Sequence, residues 1–238
     1  MEGLKYAAHS LPFSELTNQL DKVHHNELRA SIATSLGSDL ARNSQKTAEQ
    51  GLNQLVQEFS GDRQFVDIVH GFVGTLSQVQ PSKLQEMLSD GSIPEGNRDY
   101  AYRILAQNLS RNSKQSVLEW LVEDESDYSN AAFGNTYRSW LRSESTPAES
   151  WVRALDAGNK RDRAVAVTIE HYLPKRDAEF VNAIEWLDEI SDGALYQEKA
   201  LRIAWNLDKI DPAAATDFAK NSTTRECATS CARYAGGT

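Results

Sequence analysis

Carboxylates are the side chains in this chain best placed to do chemistry. Glu123, Asp124, Glu125 and Asp127 follow Trp120, and Glu185, Asp188, Glu189 and Asp192 surround Trp186. Two carboxyl groups at close range can divide acid and base work, or hold a divalent cation through oxygen ligands. Here Lys and Arg total 25 against 34 Asp and Glu, a net charge of −9, and in that setting acidic runs read as solvated faces that attract a basic partner. Glu123, Asp124, Asp127, Asp188 and Asp192 are therefore the candidate partner-binding residues. The sequence assigns no catalytic, cofactor-binding or metal-ligating residue, and no cofactor is expected.

The softer ligands give less. The five histidines are His9, His24, His25, His70 and His171, without an H-E-x-x-H pair, and the neighbours His24 and His25 point in different directions on a helix. Cys227 and Cys231, four apart, share a helix face but lack the Cβ geometry of a disulfide, and no second Cys or His pair lies close enough to complete a zinc site. They read as small apolar residues of a terminal helix. Phosphate-cradling and nucleophile-elbow motifs are absent from the sequence.

Charge and composition bound the partners. A field of negative sign repels phosphate backbones, which argues against nucleic acid and favours a protein or peptide. Hydrophobic residues make up 40% of the 238, enough for a packed core. No run approaches the roughly 18 apolar residues of a membrane span, and the opening residues do not read as a signal peptide, so a cytoplasmic setting is expected.

The elements that must position these groups show a repeat. Leu55, Met87, Trp120, Trp151, Trp186 and Phe218 follow one another at steps of 32, 33, 31, 35 and 32 residues. Such a period marks stacked helical hairpins, each burying its apolar face against its neighbours. Trp151, Ala154 and Leu155, and Trp186 with Ile190, have one-face helical spacing, so each anchor is expected to begin a helical stripe. The anchors read as core rather than as a ladder for stacking a ligand.

Gly with an Arg-Asp or similar pair then marks a turn, at Gly61-Asp62-Arg63, Gly96-Asn97-Arg98-Asp99 and Gly158 to Asp162. Arg63, Arg98, Arg161 and Arg225 are expected to tie one link to the next through carboxylates or helix-end carbonyls. The second helix opens on a small residue, Ala101, Ala132, Ala164, Ala200 or Ala228, that permits close approach. Large residues such as Tyr137, Trp140, Ile169, Ile203 and Trp205 then fill the groove. Links such as Gln80-Pro81, Thr146-Pro147 and Asp211-Pro212 end each unit, with Pro and Gly confined mainly to links.

The expected fold is thus all-α: one domain over 1–238, an α-solenoid of about six to seven helical hairpins with a period of 31–35 residues. Residues 1–50, with Phe13, Leu16, Leu20 and Val23 and then Leu28, Ile32, Leu36 and Leu40, form a divergent cap; 51–224 carry the repeats, and 225–238 an incomplete last helix and tail.

The run from Tyr137 to Ser222 resembles a class of bacterial helical repeats whose units read W, a D-P link, A-x-x-W, then L-x-x-G-x-x-R-D-x-A. Trp151 to Leu155 with Gly158, Arg161, Asp162 and Ala164 carries that resemblance, as does Asp211 to Ala215 with Phe218. It implies an α-solenoid related in style to HEAT and tetratricopeptide arrays, and no catalytic residues. The W-x-x-L-G-x-x-Y opening of the tetratricopeptide signature is missing.

The function expected is a non-enzymatic scaffold or adaptor holding a protein or peptide on the concave side of a superhelix. The rival is an enzyme on the same scaffold, similar to HEAT-like alkylpurine DNA glycosylases, which need a basic groove that the net charge disfavours.

Overall fold

The computed structural model describes residues 22–42, 46–173 and 179–220, and the described residues are helices and links without a β-strand. In chain order the helices are α1 (Asn26–Arg42), α2 (Ala48–Phe59), α3 (Phe65–Val79), α4 (Pro81–Ser89), α5 (Arg98–Leu109), α6 (Lys114–Glu123), α7 (Ser129–Ser143), α8 (Ser145–Arg153), α9 (Asn159–Tyr172), α10 (Glu179–Leu187) and α11 (Gly193–Asp208). A further helical stretch covers 212–220. The chain divides into two compact units, Met1–Thr136 and Tyr137–Thr238.

Local sequence sets the helix ends. Thr47 and Gln50 form a reciprocal capping box on α2, Ser113 accepts from the Ser116 N–H to open α6, and Asp192 accepts from Leu195 to open α11. Pro81 is the first residue of α4, where its missing N–H costs nothing. These caps correct one expectation. Met87, Trp120, Trp151 and Trp186 sit in or next to the last turn of α4, α6, α8 and α10 rather than at a helix start, because those helices open several residues before the anchor. Ala154 is already the C-cap of α8.

The anchors line the interior to different depths. Leu55, Met87 and Trp186 are buried, whereas Trp120 and Trp151 are half-buried. Trp120 stacks on Tyr102 with centroids 5.9 Å apart, and the Trp151 ring meets Trp140 edge-on at the same distance. Ala101, Ala132, Ala164 and Ala200 are all buried, as close helix approach requires, while Ala228 lies outside the described residues. Trp205 departs from its expected groove-filling place. It is 63% exposed, and the Lys209 ammonium sits 3.0 Å from its ring centre.

In the first unit α3 packs against α1, α2, α4 and α5. It can do so because Ile68, Val69, Phe72, Val73 and Leu76 are all buried, leaving little polar face. Its crossing with α1 is made by glycines inside helices, against the expectation that Gly would keep to links. A Cβ on Gly37 would overlap the Ile68 carbonyl oxygen and lie 2.7 Å from the Phe72 nitrogen, and one on Gly71 would strike the Thr34 backbone. The Ser38 hydroxyl donates to the Gly71 carbonyl across the same crossing at 3.2 Å. Of the divergent cap, Ile32, Leu36 and Leu40 are buried on α1, whereas Phe13, Leu16 and Leu20 lie outside the described residues.

In the second unit α9 plays the corresponding part, packing against α8, α10 and α11, with Ala164 to Ile169 buried without interruption. Polar contacts between helices recur at a separation near the anchor period. In the first unit they join residues 33 apart (Ser38 and Gly71), 31 apart (Asn108 and Ser77) and 33 apart (Tyr128 and Glu95). In the second they join residues 31 apart (Tyr137 and Thr168), 29 apart (Lys199 and Glu170) and 28 apart (Arg161 and Glu189).

Two predictions follow from these seams. Gly37→Ala should cost about 2 kcal/mol or more in urea unfolding, since backbone must move to admit the methyl. Gly61→Ala, where nothing lies within 4 Å of the added Cβ, should be near neutral. The second concerns His70, stacked on Tyr100 with centroids 3.8 Å apart. Burial lowers its pKa below the ordinary value of 6.5, with Asp67 opposing and Arg103 adding to the fall. The unfolded chain then binds the proton better. His70's contribution should be complete above its unfolded value of about 6.5 and be lost as pH falls below that through the lowered folded value, and the urea midpoint of His70→Gln should vary less between pH 7 and 5.

Candidate functional site

The acidic run after Trp120 borders an open cavity of about 430 Å³ in the first unit. Three segments build it. The α4 helix ends at Ser89, and Gly91, at φ 76°, turns the chain through a conformation that favours glycine. From the first turn of α5, Arg98 reaches back, its Nε donating to the Ile93 carbonyl and a terminal nitrogen to the Gly91 carbonyl, both at 3.0 Å. The third wall is the end of α6, where Asp124 leaves the helix in an extended conformation.

Tyr102, one turn into α5, donates its hydroxyl to Asp124 at 2.6 Å, and the other Asp124 oxygen accepts from the Ser126 N–H at 2.8 Å. Burial, reinforced by the Asp124 bond, raises the Tyr102 phenol well above its ordinary range, so it stays a donor. Bonds with Ser92 pull Asp90 below the usual carboxylate value. The cavity therefore presents the carboxylates of Asp90, Glu123, Asp124 and Glu125 beside one guanidinium that its own link already holds. A site of that sign and size accepts a cationic side chain better than an anion.

Of the residues picked out by sequence, Glu123 and Asp124 line the cavity, whereas Asp127 is exposed nearby and accepts from the Asn130 amide at 3.2 Å. Asp90, Arg98 and Tyr102 escaped assignment because they are distant in sequence from the acidic run. The Gly-Asn-Arg-Asp link was the one signal for Arg98.

The second acidic run is put to a different use. Asp192 caps α11 at 2.7 Å, while its own N–H donates to Asp162 at 2.8 Å. Glu189 is held by Arg161 through both its carbonyl oxygen and its carboxylate. Asp188 is exposed just past the end of α10. The Asp162 carboxylate is 3% exposed and also accepts from the Ser191 N–H at 3.0 Å and the Ser191 hydroxyl at 2.7 Å. The Arg-Asp pair at the start of α9 thus fastens the next link, with Asp162 serving the following helix rather than capping its own.

Arg98 ties the carbonyls of the link just before it, and Arg63 is exposed; Arg225 lies outside the described residues. His24 and His25 are exposed, and His9, Cys227 and Cys231 also fall outside. Among the described residues no three His, Cys, Asp or Glu side chains converge as a metal site requires. No protein family matches the chain, and neither a curated protein nor a solved structure shows a significant likeness to it.

The two runs should respond differently to substitution. Asp162→Ala removes a buried acceptor of three hydrogen bonds and should cost about 3 kcal/mol in urea unfolding, whereas Asp127→Asn should stay within about 0.5 kcal/mol.

Proposed function

We propose that this protein is a cytoplasmic, non-enzymatic helical-repeat scaffold that holds a basic segment of a protein or peptide partner at the acidic cavity of its first unit. The observation that carries the reading is the cavity's lining of Asp90, Glu123, Asp124 and Glu125, with Arg98 already engaged by the Gly91 and Ile93 carbonyls. Contacts recurring 28 to 33 residues apart support the α-solenoid reading and the resemblance to bacterial helical repeats, because stacked units meet at equivalent positions one period on. The same carboxylates repel a phosphodiester backbone, which weighs against the DNA glycosylase reading.

Glu123 and Glu125 are exposed and can be neutralised without removing the Asp124 bonds to Tyr102 and Ser126. Full-length protein used as bait at low salt is expected to retain a specific partner with a basic segment. Affinity should fall as salt rises, and Glu123→Gln with Glu125→Gln should lower it by about tenfold, mainly through slower association. Binding indifferent to both salt and the double substitution would move the contact elsewhere. Tight duplex DNA binding with a steep salt slope would overturn the reading.

A further inference from the structure

The tripeptide Ser-Asp-Gly occurs twice, as Ser89-Asp90-Gly91 and as Ser191-Asp192-Gly193. An aspartate followed by glycine carries a latent reaction of its own. The glycine nitrogen, with no side chain beside it, can close on the aspartyl carboxyl carbon to form a five-membered succinimide. Asp90, Gly91, Asp192 and Gly193 are all exposed, so water reaches both links and exposure does not tell them apart.

What tells them apart is how each link is held. The Asp192 carboxylate is drawn past the glycine to the Leu195 N–H at 2.7 Å, and the Asp192 carbonyl accepts from the Tyr196 N–H at 2.9 Å. The Asp192-Gly193 peptide is thereby clamped in the first turn of α11. The Asp90 carboxylate instead accepts from the Ser92 N–H at 2.8 Å, two residues on, which folds the side chain along the peptide whose nitrogen would attack it. The Gly91 N–H reaches the Leu88 carbonyl at 3.3 Å, and Gly91 itself follows α4 at φ 76°, a conformation glycine adopts without penalty. Turning the Asp90-Gly91 peptide disturbs bonds within one exposed link, whereas turning the other unwinds the start of a helix.

We infer that Asp90-Gly91 is a modification site, a link that converts from aspartate to isoaspartate in the folded protein. The Gly91 nitrogen forms a bond to the Asp90 side-chain carboxyl carbon, whose hydroxyl leaves as water with the Gly91 amide proton. Water then adds to the main-chain carbonyl carbon of the ring, breaks its bond to the Gly91 nitrogen and leaves the chain joined through the Asp90 side chain. Water is the only co-reactant, and the mass returns to its starting value. The product carries an extra methylene in the main chain. That displaces the Gly91 carbonyl, which Arg98 holds at 3.0 Å, and with it a wall of the cavity. A chain so altered belongs to the substrate class of enzymes that methylate isoaspartyl carboxylates. The inference stands on the geometry of the link and not on the partner.

Only the carboxylic acid can lose its hydroxyl as water, and the Ser92 bonds favour the carboxylate, so the step should run faster at pH 6 than at pH 8. Full-length protein incubated at pH 6, with circular dichroism confirming the fold, is methylated by an isoaspartyl methyltransferase with labelled S-adenosylmethionine and then mapped by peptide. Label should accumulate at Asp90 at least about fivefold faster than at Asp192 in the folded chain, and the two rates should converge within about twofold in guanidinium chloride. Label at Asp192 that equals or exceeds that at Asp90 in the folded chain overturns the proposal. Asp90→Asn and Asp192→Asn give a second reading, because the same ring closure then expels ammonia and the hydrolysed product is heavier than the asparagine. An Asp90→Asn protein that keeps its amide as long as Asp192→Asn also overturns the proposal. No partner enters either assay, so their failure leaves the salt-dependence test standing.

Discussion

Burial in each unit depends on helices that meet from about thirty positions apart in the chain, as where Gly37 and Ser38 of α1 lie against α3 and where Tyr137 meets Thr168 of α9. That constraint explains why α3 is apolar nearly all round and why Ala164 to Ile169 of α9 are buried without interruption: each helix touches helices before and after it. It also explains the interior glycines of α1 and α3. Where two helices cross with backbone against backbone, even one methyl has no room, so Gly37 and Gly71 accept the helix-propensity cost of about 1 kcal/mol each to allow the approach.

Polar groups at these seams add register to burial. Asp162 is buried yet accepts three bonds from one link, which ties α9 to a single alignment with α11. Lys199 is similarly enclosed. Burial alone would lower its pKa, but bonds to Glu170 and Glu198 outweigh that and raise it, so the ammonium remains charged between α9 and α11. A one-residue slip would strand either charge in low dielectric, a cost apolar contacts alone do not impose.

The two acidic runs look alike in sequence and differ in what their neighbours leave free. After α6 the chain departs in an extended conformation, and Asp124 spends its oxygens on Tyr102 and Ser126 while Glu123 and Glu125 face outward. After α10, Glu189 and Asp192 are drawn into the Arg161 and Asp162 fastening and the α11 cap. Net charge was shared evenly enough to nominate both runs; the link geometry separated an exposed cavity rim from a structural joint.

Helix content was legible in the sequence because it depends on local spacing, whereas the caps at Thr47, Ser113 and Asp192, each accepting from a residue three positions on, were not singled out. That the anchors turn toward the interior was legible too, but their place in the last turn of a helix and their differing depth were not. What the sequence could not decide were contacts made at long separation. That Trp205 stands exposed while Trp186 is buried, that Arg98 and Tyr102 wall the same cavity as Asp124, and that Asp162 serves the next link all depend on which helix lies opposite. Local pattern determines where a helix turns its apolar face, whereas the individuality of each seam comes from side chains that meet only after the helices have packed.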